Sequence, residues 1–191
     1  ALAALGYTAR FADPAGPSKD VLYQWSTAVG GAVQYLLMAV VALVIARPLG
    51  RSELGLVRPS SWGRAVGWIV ASLVTIVVVG GLLGRVLKAG EEQGLVPDRW
   101  DGSRAAPFVA NFVVVAVLAP LVEEFIFRGI GFHLLSSFVG VAAAVAVTAV
   151  AFGLAHGLVI ALPVLSLFGA ILACLRWKTD SLYPSMILHG I

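Results

Sequence analysis

Residues 25–46, WSTAVGGAVQYLLMAVVALVIA, carry no charged side chain. A run of that length and apolarity limits what the chain can become. Inside a bilayer no water is present to satisfy backbone N–H and C=O groups. A spanning segment must therefore bond them internally, which a helix of about 20 residues does. Further apolar stretches follow at 65–87, from about 107, from about 138 through 156, at 163–177 and from 182 to the end.

With 60% hydrophobic and 12% charged residues and a mean hydropathy of +0.96, the composition lies outside that of a soluble domain. The fold class expected is all-α, a polytopic transmembrane bundle of about six spans. Three regions divide it. Residues 1–24 read as an N-terminal loop rich in Pro and Gly, with ALAALG as the tail of an earlier span. Residues 25–106 hold two transmembrane helices and a polar loop, and 107–191 form the core that carries the chemistry. The chain opens on Ala1 and ends inside an apolar run, so it is read as a window on a longer protein.

The net charge of +3 would suggest nucleic acid in a soluble protein, but here the basic residues sit beside apolar spans. Lipid headgroups and topology are the expected partners, and nucleic acid is not. Lys and Arg divide almost evenly between the two sides. The densest excess is the 47–64 connector, with Arg47, Arg51, Arg58 and Arg64 against Glu53, which places that side in the cytoplasm. The single cysteine, Cys174, excludes an internal disulfide and is expected as a small core residue.

Against this background APLVEEFIFRG, residues 119–129, stands out. A charge near mid-bilayer costs at least about 2.5 kcal/mol, so Glu123, Glu124 and Arg128 need partners or a task. Residues four apart share a helix face, so Glu124 can pair with Arg128. Glu123, about 100° around the axis, is left free of that pair. Pro120, one turn upstream, removes a backbone hydrogen bond and is expected to bend the helix near the acids.

His133 is expected at the interface with no role. His156 ends a strongly apolar run and His189 lies within the last one. The same 33 positions separate Glu123 from His156 and His156 from His189. The midpoint of the first pair falls between Val139 and Gly140, near Ser136 and Ser137, where a helical hairpin can turn. A second reversal at KTDS, residues 178–181, would bring His189 about 15 Å back into the membrane. One carboxylate and two imidazoles from three consecutive apolar segments then share one depth.

Such a set can hold and deprotonate a water, while the second imidazole steadies an oxyanion or completes a metal site. Hydrolysis inside the membrane is the chemistry implied. Zn2+ on Glu123, His156 and His189 is an alternative, because two histidines and a glutamate form a catalytic zinc set, although the HExxH spacing is absent. Two further readings use the same residues: a proton- or ion-coupled transporter, and a non-catalytic immunity or scaffold protein.

The motifs resemble those of the CPBP intramembrane proteases, the CAAX-protease and bacteriocin-processing group also called Abi. Glu123, Glu124 and Arg128 match EExxxR, Phe152 and His156 match FxxxH, and His189 resembles the start of HxxxN. The resemblance covers about residues 107–191. It implies an intramembrane endopeptidase in which Glu123 and His156 activate water, His189 helps form the oxyanion site, Glu124 and Arg128 support the geometry, and Phe152 packs beside it. The asparagine of HxxxN would fall at position 193, beyond the chain. Peptide or lipidated protein substrates are implied in the same way, and the connector LGLVRPSSWGRA, which looks bacterial, makes a bacterial inner membrane the expected location.

Overall fold

The computed structural model describes residues 20–87 and 99–191. The expected tail ALAALG, most of the N-terminal loop, and the polar loop at 88–98 lie outside the described residues. Among the described residues a short 3-10 turn, Val21–Tyr23, leads into six helices. These are α1 (Trp25–Ala46), α2 (Trp62–Leu87), α3 (Gly102–Val139), α4 (Val141–Ala155), α5 (Leu162–Thr179) and α6 (Tyr183–His189).

The all-α bundle is as the sequence predicts, but the spans are not six equal crossings. Helices α1, α2, α3 and α5 are long and apolar enough to traverse a bilayer. Helix α4 has 15 residues, too short at 1.5 Å per residue to cross about 30 Å of hydrocarbon in a straight run. Helix α6 packs against α2, α3 and α5.

The distribution of side chains is that of a multi-pass membrane protein. Valines and leucines of α1 and α2, such as Val29, Leu37, Val70 and Val77, are exposed, whereas Asn111, Glu123, Glu124, Arg128, Thr148 and Arg176 are buried. Lipid tails solvate the apolar exterior as well as a protein core would, so polar groups take the interior. Helix α1 lies along α3, with buried Ala28, Ala42 and Ala46 facing inward.

The 47–61 connector closes one end of the bundle. Leu54 is buried, Leu182 N donates to Gly55 O at 2.8 Å, and the Ser181 hydroxyl donates to Val57 O at 2.6 Å. His133 Nε2 lies 3.5 Å from Glu53 Oε1 at the same end. Arg176 is buried in the last turn of α5, where it donates to Glu53 O at 3.2 Å. Cys174 is exposed rather than in the core. The buried face of α5 runs through Gly169, Leu172, Ala173, Leu175, Arg176 and Thr179, and position 174 points the other way. At the opposite end Tyr23, Trp100 and Phe108 stack, and the buried Asn111 side chain donates to Leu22 O and Gln24 O at 3.0 Å each.

Helix α3 continues through Pro120. The stretch immediately before it, Val114–Leu118, is a π-helix, as is Phe125–Gly131 after the acids. Wider π turns redistribute the backbone bonds that proline disrupts, so the helix absorbs it without ending. The chain reverses at Gly140, with φ 83°, at the midpoint between Glu123 and His156, while the Ser136 and Ser137 hydroxyls bond back to carbonyls three residues earlier. Asp180, with φ 50°, makes the second reversal after α5.

Candidate active site

Glu123, Glu124 and Arg128 lie on α3, with Glu123 about 15 Å along the helix from His133 and the capped end of the bundle. Glu124 and Arg128 share one face and meet as an ion pair, Nη1 to Oε1, at 2.9 Å, with both side chains fully buried. The other Arg128 terminal nitrogen donates to Gly169 O of α5 at 2.8 Å. The guanidinium carbon stands 4.4 Å from the centre of the Phe152 ring, so the cation is neutralised on one side and packed against an aromatic face on another.

His156 follows the last turn of α4. Gly157, with φ 68°, ends the helix in the left-handed conformation that glycine takes without a Cβ penalty. The imidazole folds back so that Nδ1 lies 2.8 Å from Phe152 O. A carbonyl only accepts, so Nδ1 carries the proton and Nε2 is the ring nitrogen left for chemistry. That Nε2 lies 4.0 Å from Glu123 Oε2.

His189 reaches the same point from α6. Its Nδ1 lies 3.0 Å from Glu124 Oε1, the oxygen that also holds Arg128, and its Nε2 lies 3.8 Å from Glu123 Oε2. The chain Arg128–Glu124–His189 fixes the second imidazole as the Phe152 carbonyl fixes the first. Phe152 is completely buried, with its ring 4.7 Å from that of His156 and 5.5 Å from that of His189.

The structure thus brings together Glu123, Glu124, Arg128, Phe152, His156 and His189, whereas His133 stands apart at the capped end. It adds three contributors that sequence reasoning does not single out. Phe168 of α5 packs edge-on to His189 at 5.2 Å. The Gly169 carbonyl holds Arg128. The Tyr35 hydroxyl of α1 donates to Glu123 Oε1 at 2.6 Å. Tyr35 carries a signal in retrospect: it lies one helical turn after Gly31, on the side of α1 where glycine and alanine meet α3.

The zinc reading requires Glu123, His156 and His189 to converge as ligands at about 2.0–2.2 Å from one ion. Among the described residues no group of three or more His, Cys, Asp or Glu has the spacing to hold a metal ion. Glu123 also commits one oxygen to Tyr35. The arrangement offers two acceptor nitrogens and one free carboxylate oxygen around a shared point, separated by more than a direct hydrogen bond and by the span that one bridging water covers.

Comparison with curated proteins and with solved structures gives no match. Residues 105–191 match the family model of the type II CAAX prenyl endopeptidase Rce1-like proteins. This segment, which is similar to that protease family, holds every residue of the site described above except Tyr35.

Proposed function

We propose that the protein is an intramembrane endopeptidase that hydrolyses peptide bonds of membrane-associated or lipidated substrates with a water activated by Glu123 and His156. The observation that carries this reading is the position of Glu123 Oε2, which faces His156 Nε2 at 4.0 Å and His189 Nε2 at 3.8 Å. The match of residues 105–191 to a protease family model supports hydrolysis in general.

A water at this point gives one hydrogen to Glu123 Oε2 and the other to the unprotonated Nε2 of His156, leaving a lone pair directed at a substrate carbonyl. As its oxygen bonds to the carbonyl carbon, the first proton passes to Glu123. The resulting oxyanion needs a donor, and His189 supplies one when Nε2 carries a proton. Its Nδ1–H stays on Glu124, whose charge balances the imidazolium while Arg128 holds Glu124 in place. When the C–N bond breaks, the departing amine takes the proton from Glu123, and the second water proton passes by way of His156 Nε2 to the released amine, so that the products are a carboxylate and an ammonium group. The buried aromatic rings keep other water away from these groups.

Full-length protein in liposomes, given prenylated and unprenylated membrane-peptide substrates in 18O-labelled water, tests the reading by mass spectrometry. Expected are defined cuts, one labelled oxygen at each new C-terminus, and loss of cleavage in His156→Ala. Proton flux without cleavage would instead support a transporter, and neither activity would support a binding role.

A further inference from the structure

We propose that Tyr35 is a positioning residue for Glu123, through which the N-terminal helix α1 forms part of the hydrolytic site. This inference rests on the hydrolase reading above and assigns a role outside the segment that matches the family.

A phenol hydroxyl in an apolar transmembrane helix needs a polar partner, because lipid supplies none. Half-buried Tyr35 finds it 88 positions away, at Glu123 Oε1, over 2.6 Å, a length typical of a hydroxyl bonded to a carboxylate. The approach is built into α1. Gly31 lies one turn before Tyr35, and a Cβ there would come within 3.1 Å of the Val114 side chain on α3. A small residue at that contact lets the two helices close far enough for the hydroxyl to reach across.

The consequence is a division of labour between the two carboxylate oxygens. Oε1 is occupied by Tyr35, so the carboxylate cannot turn about its last bond without losing that hydrogen bond. Oε2 is thereby held toward both Nε2 atoms. When Oε2 takes the proton from water, Oε1 becomes the carbonyl-like oxygen and still accepts from Tyr35. The same bond therefore orients the base before attack and the acid during expulsion of the amine.

The test compares wild type, Tyr35→Phe and Glu123→Gln as full-length protein in liposomes, by steady-state cleavage and by infrared spectroscopy of the Glu123 carboxylate band, identified by its loss in Glu123→Gln. Tyr35→Phe is expected to lower kcat about tenfold to a hundredfold, as for a lost hydrogen bond to a charged group, with KM within about twofold. The carboxylate band shifts in the same variant. Incorporation of 3-fluorotyrosine in place of Tyr35 keeps ring and packing while strengthening the donor. It should preserve cleavage and move the band the other way, which decides the matter if Tyr35→Phe does not fold. An unmoved band in either variant, or unchanged kcat in Tyr35→Phe while Glu123→Gln is inactive, overturns the role of Tyr35 and leaves the hydrolase reading standing. Normal cleavage by Glu123→Gln removes that reading and the proposal with it.

Discussion

Arg128 and Glu124 form an ion pair of 2.9 Å with neither side chain exposed, well inside a helix long and apolar enough to cross the membrane. Removing one member strands the other charge. Arg128→Met is therefore expected to destabilise the protein by about 3–5 kcal/mol, whereas the double variant Glu124→Met with Arg128→Met loses less, because no charge is left unpaired. Denaturant unfolding in detergent micelles measures the difference. Equal losses in the single and double variants would assign the cost to packing on Phe152 rather than to charge.

Gly190 sets how closely α6 approaches α3. A methyl group there would come within 2.8 Å of Ala116 O, the carbonyl four residues before Pro120 and so the one whose usual helical donor proline removes. Gly190→Ala pushes the end of α6 outward and takes His189 with it. Cleavage should fall at least about tenfold, since a displacement of 1 Å at a catalytic group costs up to a hundredfold. The melting temperature in detergent should fall only modestly. Full activity would mean that the position of His189 is not critical.

At the far end of the bundle, Asp101 caps α3. Its carboxylate accepts from the Ser103 hydroxyl at 2.6 Å and from Arg104 Nε at 2.7 Å. These bonds, Ser103 first, pull its carboxyl down to about 2. A folded-state value below the unfolded one of about 3.9 gives stability that is present above pH 4 and lost as pH falls toward 2. The melting temperature of wild type should exceed that of Asp101→Asn at pH 6, and the gap should close across that window. A gap independent of pH would show that the cap acts through shape alone.

A metal would need the oxygen and nitrogens that the proposed mechanism gives to water. With Glu123 Oε1 on Tyr35 and no three-donor group among the described residues, cleavage is expected to persist after dialysis against EDTA or 1,10-phenanthroline. Loss of cleavage with recovery on adding Zn2+ would favour the zinc alternative.

The parts of this arrangement that were readable in the sequence are those governed by local periodicity. The spacing of Glu124 and Arg128 puts them on one face of a single helix, and they meet there. Glu123 and His156 are equidistant from position 139–140, and the chain reverses at Gly140, so their depths agree. What escaped depends on packing between distant segments. Tyr35 meets Glu123 across 88 positions, and no pattern near either residue encodes that pairing except the small residues on α1. The Gly169 carbonyl and the Phe168 ring are set by how α5 leans on α3 and α4, which hydropathy does not describe. Hydropathy likewise gives no sign that α4 is shorter than its neighbours. It reports apolarity, whereas Gly157, in the left-handed conformation, fixes where α4 stops.

The central claim, that Glu123 takes the proton from the attacking water, is tested most directly by single-turnover cleavage with Glu123→Gln in liposomes. The amide keeps the size of the side chain but cannot act as the base. The account predicts substrate binding with a Kd within about twofold of wild type and cleavage reduced at least about a thousandfold, near the range that positioned proton transfer contributes. Cleavage at the wild-type rate by Glu123→Gln would contradict it.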